Sequence, residues 1–253
     1  MMKEEYNIEP LQEQDVDTVV NMVRESFDKK YLIPSIYRGK GISKFITNEL
    51  ENKFSPYRYF VLKYDGKIAG YTEFKIFENS STAFLNIICV SNDFRNKGIA
   101  NKIFDYTKTF FTEAGFKSMA LDVYESNHVA LNWYRKCGFN QTGFNLFYKI
   151  NIDKEIKNHE QLYIQNFSQQ KELQKVFGFY FLDIVIKDEN IKLGTISKDL
   201  IVRGKCSELL KKNLSTISND YKIETVYYIG SNETSTEFEF IDKILRLELN
   251  INL

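Results

Sequence analysis

The spacing of apolar residues changes twice along the first half of the chain, from a helical period to a strand period and back. Leu11, Val16, Val19, Val20, Val23 and Phe27 follow Pro10 at helical intervals with charges between them, which predicts a first amphipathic helix. A second helix is expected over residues 36–54. Residues 59–64 and 67–77 then turn aromatic and β-branched and read as strands joined by Asp65-Gly66, the chemistry of a tight hairpin. Residues 82–90 form a further strand, apolar almost throughout from Ala83, as in a strand buried on both faces. The helical period returns over residues 98–114, where Ile99, Ile103, Tyr106, Phe110 and Ala114 share a face and Gly115 is a stop signal. Residues 117–124 read as a strand, 127–136 as a helix closed by Gly138, and 139–150 as a last pair of short strands.

Composition narrows the classes open to such a chain. Lysine plus arginine equals aspartate plus glutamate at 34 each among 253 residues, so no global charge draws it to nucleic acid or an anionic membrane, and any anion site must be local. Hydrophobic residues at 43% are enough for packed cores and place the chain outside the disordered regime. Cys89, Cys137 and Cys206 show neither a disulfide framework nor metal-ligand spacing, which fits a reducing cytoplasm. The longest apolar stretches are too short for a bilayer, which needs ~20 residues, and MMKEEYNIEP has no apolar signal core. A soluble cytoplasmic protein, monomer or homodimer, is expected, with no nucleic-acid or membrane partner. The length favours two domains. Periodicity fades and charge rises in IDKEIKNHEQ, which sets domains at residues 1–152 and 160–253.

The chemistry concentrates in VSNDFRNKGIANKIF, residues 90–104, which begins as a strand end and finishes as a helix. A helix start leaves about four N–H groups unpaired and carries roughly half a positive charge, so anions bind there. Arg95 and Lys97 add side-chain charge, Gly98 permits close approach and positive φ, and Ala100 leaves the first turn uncrowded. On these residues alone an ordinary strand-loop-helix with solvated basic side chains is an equal reading. Arg95-x-x-Gly98-x-Ala100 after a buried strand resembles the coenzyme A loop of the GNAT acetyltransferase superfamily, and LDVYESNHVALNWYRKCGF, residues 121–139, is similar to that family's second signature. The resemblance covers residues 8–150 and lies nearest the bacterial enzymes that acetylate the N-terminus of a ribosomal protein. Ala100 stands where many members have glycine, a permitted variant.

The resemblance implies an α/β fold with a mixed, mostly antiparallel central sheet flanked by helices, and an N-acetyltransferase that moves an acetyl group from acetyl-CoA to a primary amine of a small molecule or peptide. It implies that the main chain of Ile88, Cys89 and Val90 pairs with the pantetheine arm and that backbone N–H groups of Arg95, Asn96, Lys97, Gly98, Ile99 and Ala100 hold the pyrophosphate. Asn127 is an N-cap by its position and by resemblance lies near the cofactor. Tyr134, two turns along that helix, would protonate the departing thiolate. Asp122 occupies the position of the related enzymes' catalytic glutamate; Glu73 or a water chain are the other candidates for the base. His128 reads as a solvent-facing first-turn residue, His159 as part of the linker, Trp133 and Phe139 as core or pocket wall, and Cys89 as a buried small hydrophobe. That last reading favours direct attack in a ternary complex. A non-catalytic acyl-CoA sensor is the alternative; a P-loop is disfavoured, since no Gly-Lys-Ser/Thr follows the basic stretch.

The second half reads as strands over residues 177–186, 191–202 and 223–229 with a helix over 204–217. Laying ISKDLIVRGKCSELL over VSNDFRNKGIANKIF aligns Ser197, Asp199 and Gly204 with Ser91, Asp93 and Gly98, and KIETVYYIGSN matches KSMALDVYESN at both ends. A smaller, degenerate GNAT-like α/β half is inferred. It has no counterpart of Tyr134 and too few residues for the initial helices, so a structural role is expected.

Overall fold

The structure is a computed structural model that describes residues 6–153, 162–231 and 238–252. Among these, twelve strands form one sheet. The first half runs β1 (Tyr6–Pro10), α1 (Val16–Ser26), α2 (Ile42–Glu51), β2 (Tyr57–Tyr64), β3 (Lys67–Phe77), β4 (Thr82–Val90), α3 (Ile99–Glu113), β5 (Ser118–Tyr124), α4 (His128–Lys136) and β6 (Asn140–Ile150). The second half runs β7 (Leu162–Ile164), α5 (Phe167–Phe177), β8 (Phe179–Ile186), β9 (Glu189–Ile196), β10 (Asp199–Arg203), α6 (Glu208–Asp220), β11 (Thr225–Gly230) and β12 (Phe238–Asn250). The bounds expected at 152 and 160 fall beside or within residues 154–161, outside the described ones, as does His159.

Four elements differ from the sequence expectation. Residues 6–10 are an edge strand antiparallel to β2, and the first helix starts only at Val16, after a 3-10 turn at Glu13–Asp15. Pro10 has no N–H to give a ladder and so ends the edge strand instead of opening the helix. The second helix is shorter at both ends. Ile36–Arg38 is a separate 3-10 turn and Phe54 is 94% exposed. A Cβ on Gly41, just before α2, would lie 2.3 Å from the Val176 carbonyl, so this break lets α5 approach the loop. Residues 140–150 are one strand, its kink absorbed as a register shift near Gly143. Residues 191–202 are broken by Ser197 in the left-handed region.

The strand order β1-β2-β3-β4-β5-β12-β6-β11-β10-β9-β8-β7 reads as two six-strand units facing each other. In both, the fourth and fifth strands are parallel and the other described pairings antiparallel. The last strands are exchanged: β12 lies against β5, and β6 against β11. The repeat is therefore real, but one of its two alignments is out of register. β10, not the Ser197 turn, occupies the place of β4, and the four residues between β10 and α6 stand where eight separate β4 from α3. One of the two initial helices also survives in the second half, as α5.

The exchange makes the core common to both halves. Val19, Val20, Tyr37 and Ile46 of the α1-α2 layer share one buried cluster with Phe177, Phe179, Ile201 and Ile229. α3 and α4 pack on a second cluster with Phe74, Leu85, Leu121 and Leu247. No described helix is long and apolar enough to cross a membrane.

Candidate active site

β4 and β5 run side by side only from Thr82↔Ser118 to Leu85↔Leu121. Beyond that they part. Asn86 is the extra residue of a bulge, since Phe74 of β3 faces Leu85 while Glu73 faces Ile87. Past the bulge the edge of β4 toward β5 has no strand partner, while Asp122–Tyr124 of β5 keep only the β12 ladder on their other edge. A wedge with unspent backbone groups follows from this geometry. It opens into a cleft of about 340 Å³. Tyr31, Leu32 and Ser35 of the α1-α2 loop line one side, and Ala100, Asn127, Trp133 and Tyr134 of the helical layer the other. Ile88, Cys89, Val90 and Asp122, expected site residues, line it as well.

The anion end lies where α3 begins. Arg95 N–H closes a turn on Asn92 O, and Lys102 N–H is the next to bond back, to Gly98 O. The N–H groups between are those a helix start leaves without an intrahelical partner. Asn96 at φ 61 and Gly98 at φ 72 bend the chain so that successive amides face the same way. A Cβ on Gly98 would meet nothing within 4 Å, so conformation and open approach, not crowding, require glycine. Arg95 and Lys97 are exposed beside it, while Ile99 is buried and pins the turn to the sheet. The donor set fits a diphosphate.

α4 is positioned as the sequence expects. Asn127 Oδ1 accepts from Ala130 N–H at 3.3 Å, and Gly138 at φ 93 ends the element. Trp133 Nε1 donates to Asn101 Oδ1 at 2.7 Å, tying α4 to α3. Tyr134 is 8% exposed, and burial raises its hydroxyl pKa well above the usual tyrosine value, so it stays protonated at neutral pH. Burial also pushes the Cys89 thiol up to about 12, which keeps it a thiol and no nucleophile. His128 is exposed and Phe139 buried in the α3-α4 core.

The two carboxylates singled out by sequence have different surroundings. Asp122 is held bidentately by Arg246 of β12, at 2.5 Å and 3.1 Å, so both its oxygens already face a guanidinium. Glu73 is 4% exposed. Tyr37 Oη donates to its Oε2 at 2.6 Å and Asn86 Nδ2 to its Oε1 at 2.8 Å. With the Tyr37 proton spent on Glu73, Tyr71 donates to Tyr37 at 2.8 Å and completes a buried relay. Desolvation raises the Glu73 pKa above the usual carboxylate range, and the hydrogen bonds from Tyr37 and Asn86 oppose it in part. Tyr59 faces Glu73 across the β2-β3 ladder, with its hydroxyl buried and unpartnered. Asn86, which holds Glu73, lines the cleft.

The second half braces the first through ion pairs, and among the described residues it has no counterpart of the parted strands. Asp242 of β12 pairs with Lys30 at 2.6 Å and accepts from Ser126, and Arg38 reaches Asp199 at 2.5 Å. These partners lie more than a hundred residues apart in sequence, and no local pattern announces them; Tyr71 and Glu73, polar on one face of an apolar strand, were a readable signal. β10 and β11 stay paired from Asp199↔Thr225 to Arg203↔Ile229, with no parting like that of β4 and β5. The start of α6 is capped by Ser207, whose Oγ accepts from Leu210 N–H at 3.2 Å. Among the described residues no group of His, Cys, Asp and Glu could hold a metal ion.

Fold and cleft define a mixed α/β protein of two repeats in which only the first has parted strands and an open anion site. Residues 37–139 match the family model described as Acetyltransferase (GNAT) family and form a GNAT acetyltransferase domain. A tandem GNAT protein from the clavulanic acid biosynthesis pathway, solved without AcCoA, matches over 98% of this chain and 99% of its own at a TM-score of 0.71 and 11% identity. A GCN5-related N-acetyltransferase from Sphaerobacter thermophilus matches over 98% and 96% at a TM-score of 0.65 and 9% identity. The ribosomal-protein-S18-alanine N-acetyltransferase from Escherichia coli matches over 98% and 96% at 0.49 and 12%. The first two share the whole-chain fold, and the tandem protein agrees with two GNAT-like halves in one polypeptide.

Proposed function

We propose that the chain is an acetyl-CoA-dependent N-acetyltransferase acting on a primary amine within a ternary complex. The observation that carries this reading is the parting of β4 and β5 after Leu85↔Leu121, which leads from an anion-binding helix start to a buried, protonated tyrosine. Backbone groups of Ile88, Cys89 and Val90 would pair with the pantetheine arm, and the amides from Arg95 through Ala100, with the side chains of Arg95 and Lys97, would hold the diphosphate. Asn127 and Trp133 shape the wall along which the arm lies.

Acetyl-CoA supplies the thioester. The acceptor amine enters from the side of the α1-α2 loop and forms its C–N bond at the carbonyl carbon as the C–S bond breaks. The developing oxyanion is met by strand N–H groups. Tyr134 gives its proton to the departing sulfur, and the proton lost by nitrogen goes to a carboxylate, directly or through one water. Of the two carboxylates, Glu73 suits that role better. Burial makes it the more basic, whereas Asp122 is neutralised by Arg246 and acts as a wall that fixes β12 against β5.

Arg95→Ala is expected to weaken coenzyme A binding about tenfold, the worth of one charge-assisted contact, with little change in kcat. Calorimetric titration with coenzyme A measures this. An unchanged dissociation constant would remove the loop from its role.

A further inference from the structure

Four basic residues lie beside residues that line the acceptor side of the cleft, and three are already matched. Lys30 holds Asp242, Arg38 holds Asp199 and Arg246 holds Asp122. The fourth, Arg203 of the second half, forms no ion pair among the described residues. Among the described residues its one hydrogen bond is a long contact of 3.5 Å from Nη2 to the Pro34 carbonyl, next to Ser35 of the cleft wall. A guanidinium has five donor N–H groups, so nearly all of this one is unspent.

The register fixes where Arg203 points. Arg203 faces Ile229 on β11, Ile229 faces Phe147 on β6, and Phe147 faces Asp242 on β12, so all four lie in one row across the sheet. Ile229 and Phe147 belong to the core under the α1-α2 layer, which puts Arg203 on that same face. From the other side Tyr124 of β5 leans its ring on Phe147 at 6.0 Å. Tyr124 lines the cleft and is 9% exposed, yet its hydroxyl has no hydrogen-bond partner. A buried hydroxyl without a partner is costly unless a ligand completes it. Arg203 and Tyr124 lie within each other's electrostatic reach. The nearest carboxylate acting on both, Asp122, is already taken by Arg246, so among the described residues two donors with unspent capacity stand beside the acceptor rim.

We propose that the acceptor amine also carries a carboxylate, which Arg203 of the second half and the Tyr124 hydroxyl bind at the rim while the amine sits at the parting of β4 and β5. The inference rests on the acetyltransferase reading above and narrows its substrate class to amino-acid-like amines. It also gives the second half a task beyond completing the sheet. Polyamines are disfavoured, because among the described residues the charge left without an ion pair beside this rim, Arg203, is positive.

The test uses paired amines that differ by a carboxylate: phenylalanine with phenethylamine, lysine with cadaverine, 6-aminohexanoate with pentylamine. Thiol release from acetyl-CoA gives kcat/KM for each in the full-length enzyme, in Arg203→Gln and in Arg203→Lys. The carboxylate-bearing member of at least one pair is expected to be favoured tenfold to hundredfold, as a charge-assisted contact allows. Arg203→Gln should collapse that ratio through KM, and Arg203→Lys should restore part of it. The coenzyme A dissociation constant, measured on the same samples, separates the two claims: if coenzyme A binds but the carboxylate gives no advantage, if no carboxylate-bearing member is turned over, or if the preference survives in Arg203→Gln, this inference is overturned and the cofactor site stands. Failure to bind coenzyme A at all removes the acetyltransferase reading first.

Discussion

Replacing Tyr134 by phenylalanine is expected to lower kcat by about a hundredfold to ten-thousandfold, the usual worth of a positioned proton donor, while the dissociation constant of acetyl-CoA changes little. The ring is 8% exposed and packs against Trp133 and Phe139, at centroid distances of 5.0 Å and 5.7 Å, so phenylalanine keeps the contacts and loses only the proton. Burial, the largest influence on this hydroxyl, raises its pKa, so loss of its proton causes no alkaline fall in kcat below the ordinary tyrosine value of about 10. Single-turnover thiol release beside calorimetric binding separates chemistry from affinity. A variant with full kcat would take the tyrosine out of the reaction.

Glu73→Gln is expected to reduce kcat/KM by about a hundredfold or more and to abolish the acid limb of its pH profile. In the native enzyme that limb lies above the ordinary glutamate range, since burial raises the pKa. Stability carries an opposite sign. A raised folded-state pKa means that Glu73 favours folding when protonated, below the unfolded value of about 4.3, and that this contribution is lost as pH rises through the folded value. The glutamine variant stays neutral throughout, so its melting temperature relative to native protein should increase from pH 4 to pH 8. Calorimetric scans across that interval check the stability claim. An acid limb that persists in the variant would return the proton to Asp122 or to water.

Both residues could be read from sequence, though for different reasons. The helical place of Tyr134 follows from an N-capping asparagine and helical spacing, its expected role came from the resemblance of residues 121–139 to a family signature, and the helix start at Gly98 is local because φ and the amides depend on a few adjacent residues. Asp122 was legible as a cleft residue but not as a paired one, since Arg246 reaches it only after β12 has inserted beside β5. That exchange has no local signature: β12 and β6 are each ordinary alternating strands, and which partner they take is decided by the core common to both halves. The same cause misplaced one alignment of the repeat. Ser197, Asp199 and Gly204 coincide with Ser91, Asp93 and Gly98 as letters, but Ser197 turns between β9 and β10 and Gly204 follows β10 directly. The short segment after β10 leaves no room for the open loop that β4 feeds into α3.

The most direct measurement is a crystal structure of the protein with coenzyme A. The account predicts diphosphate oxygens on the main-chain amides of residues 96–100, the pantetheine beside Ile88, Cys89 and Val90, and the sulfur next to the Tyr134 hydroxyl where β4 and β5 separate. Density for the diphosphate on any other part of the surface, or a sulfur remote from Tyr134, would contradict it.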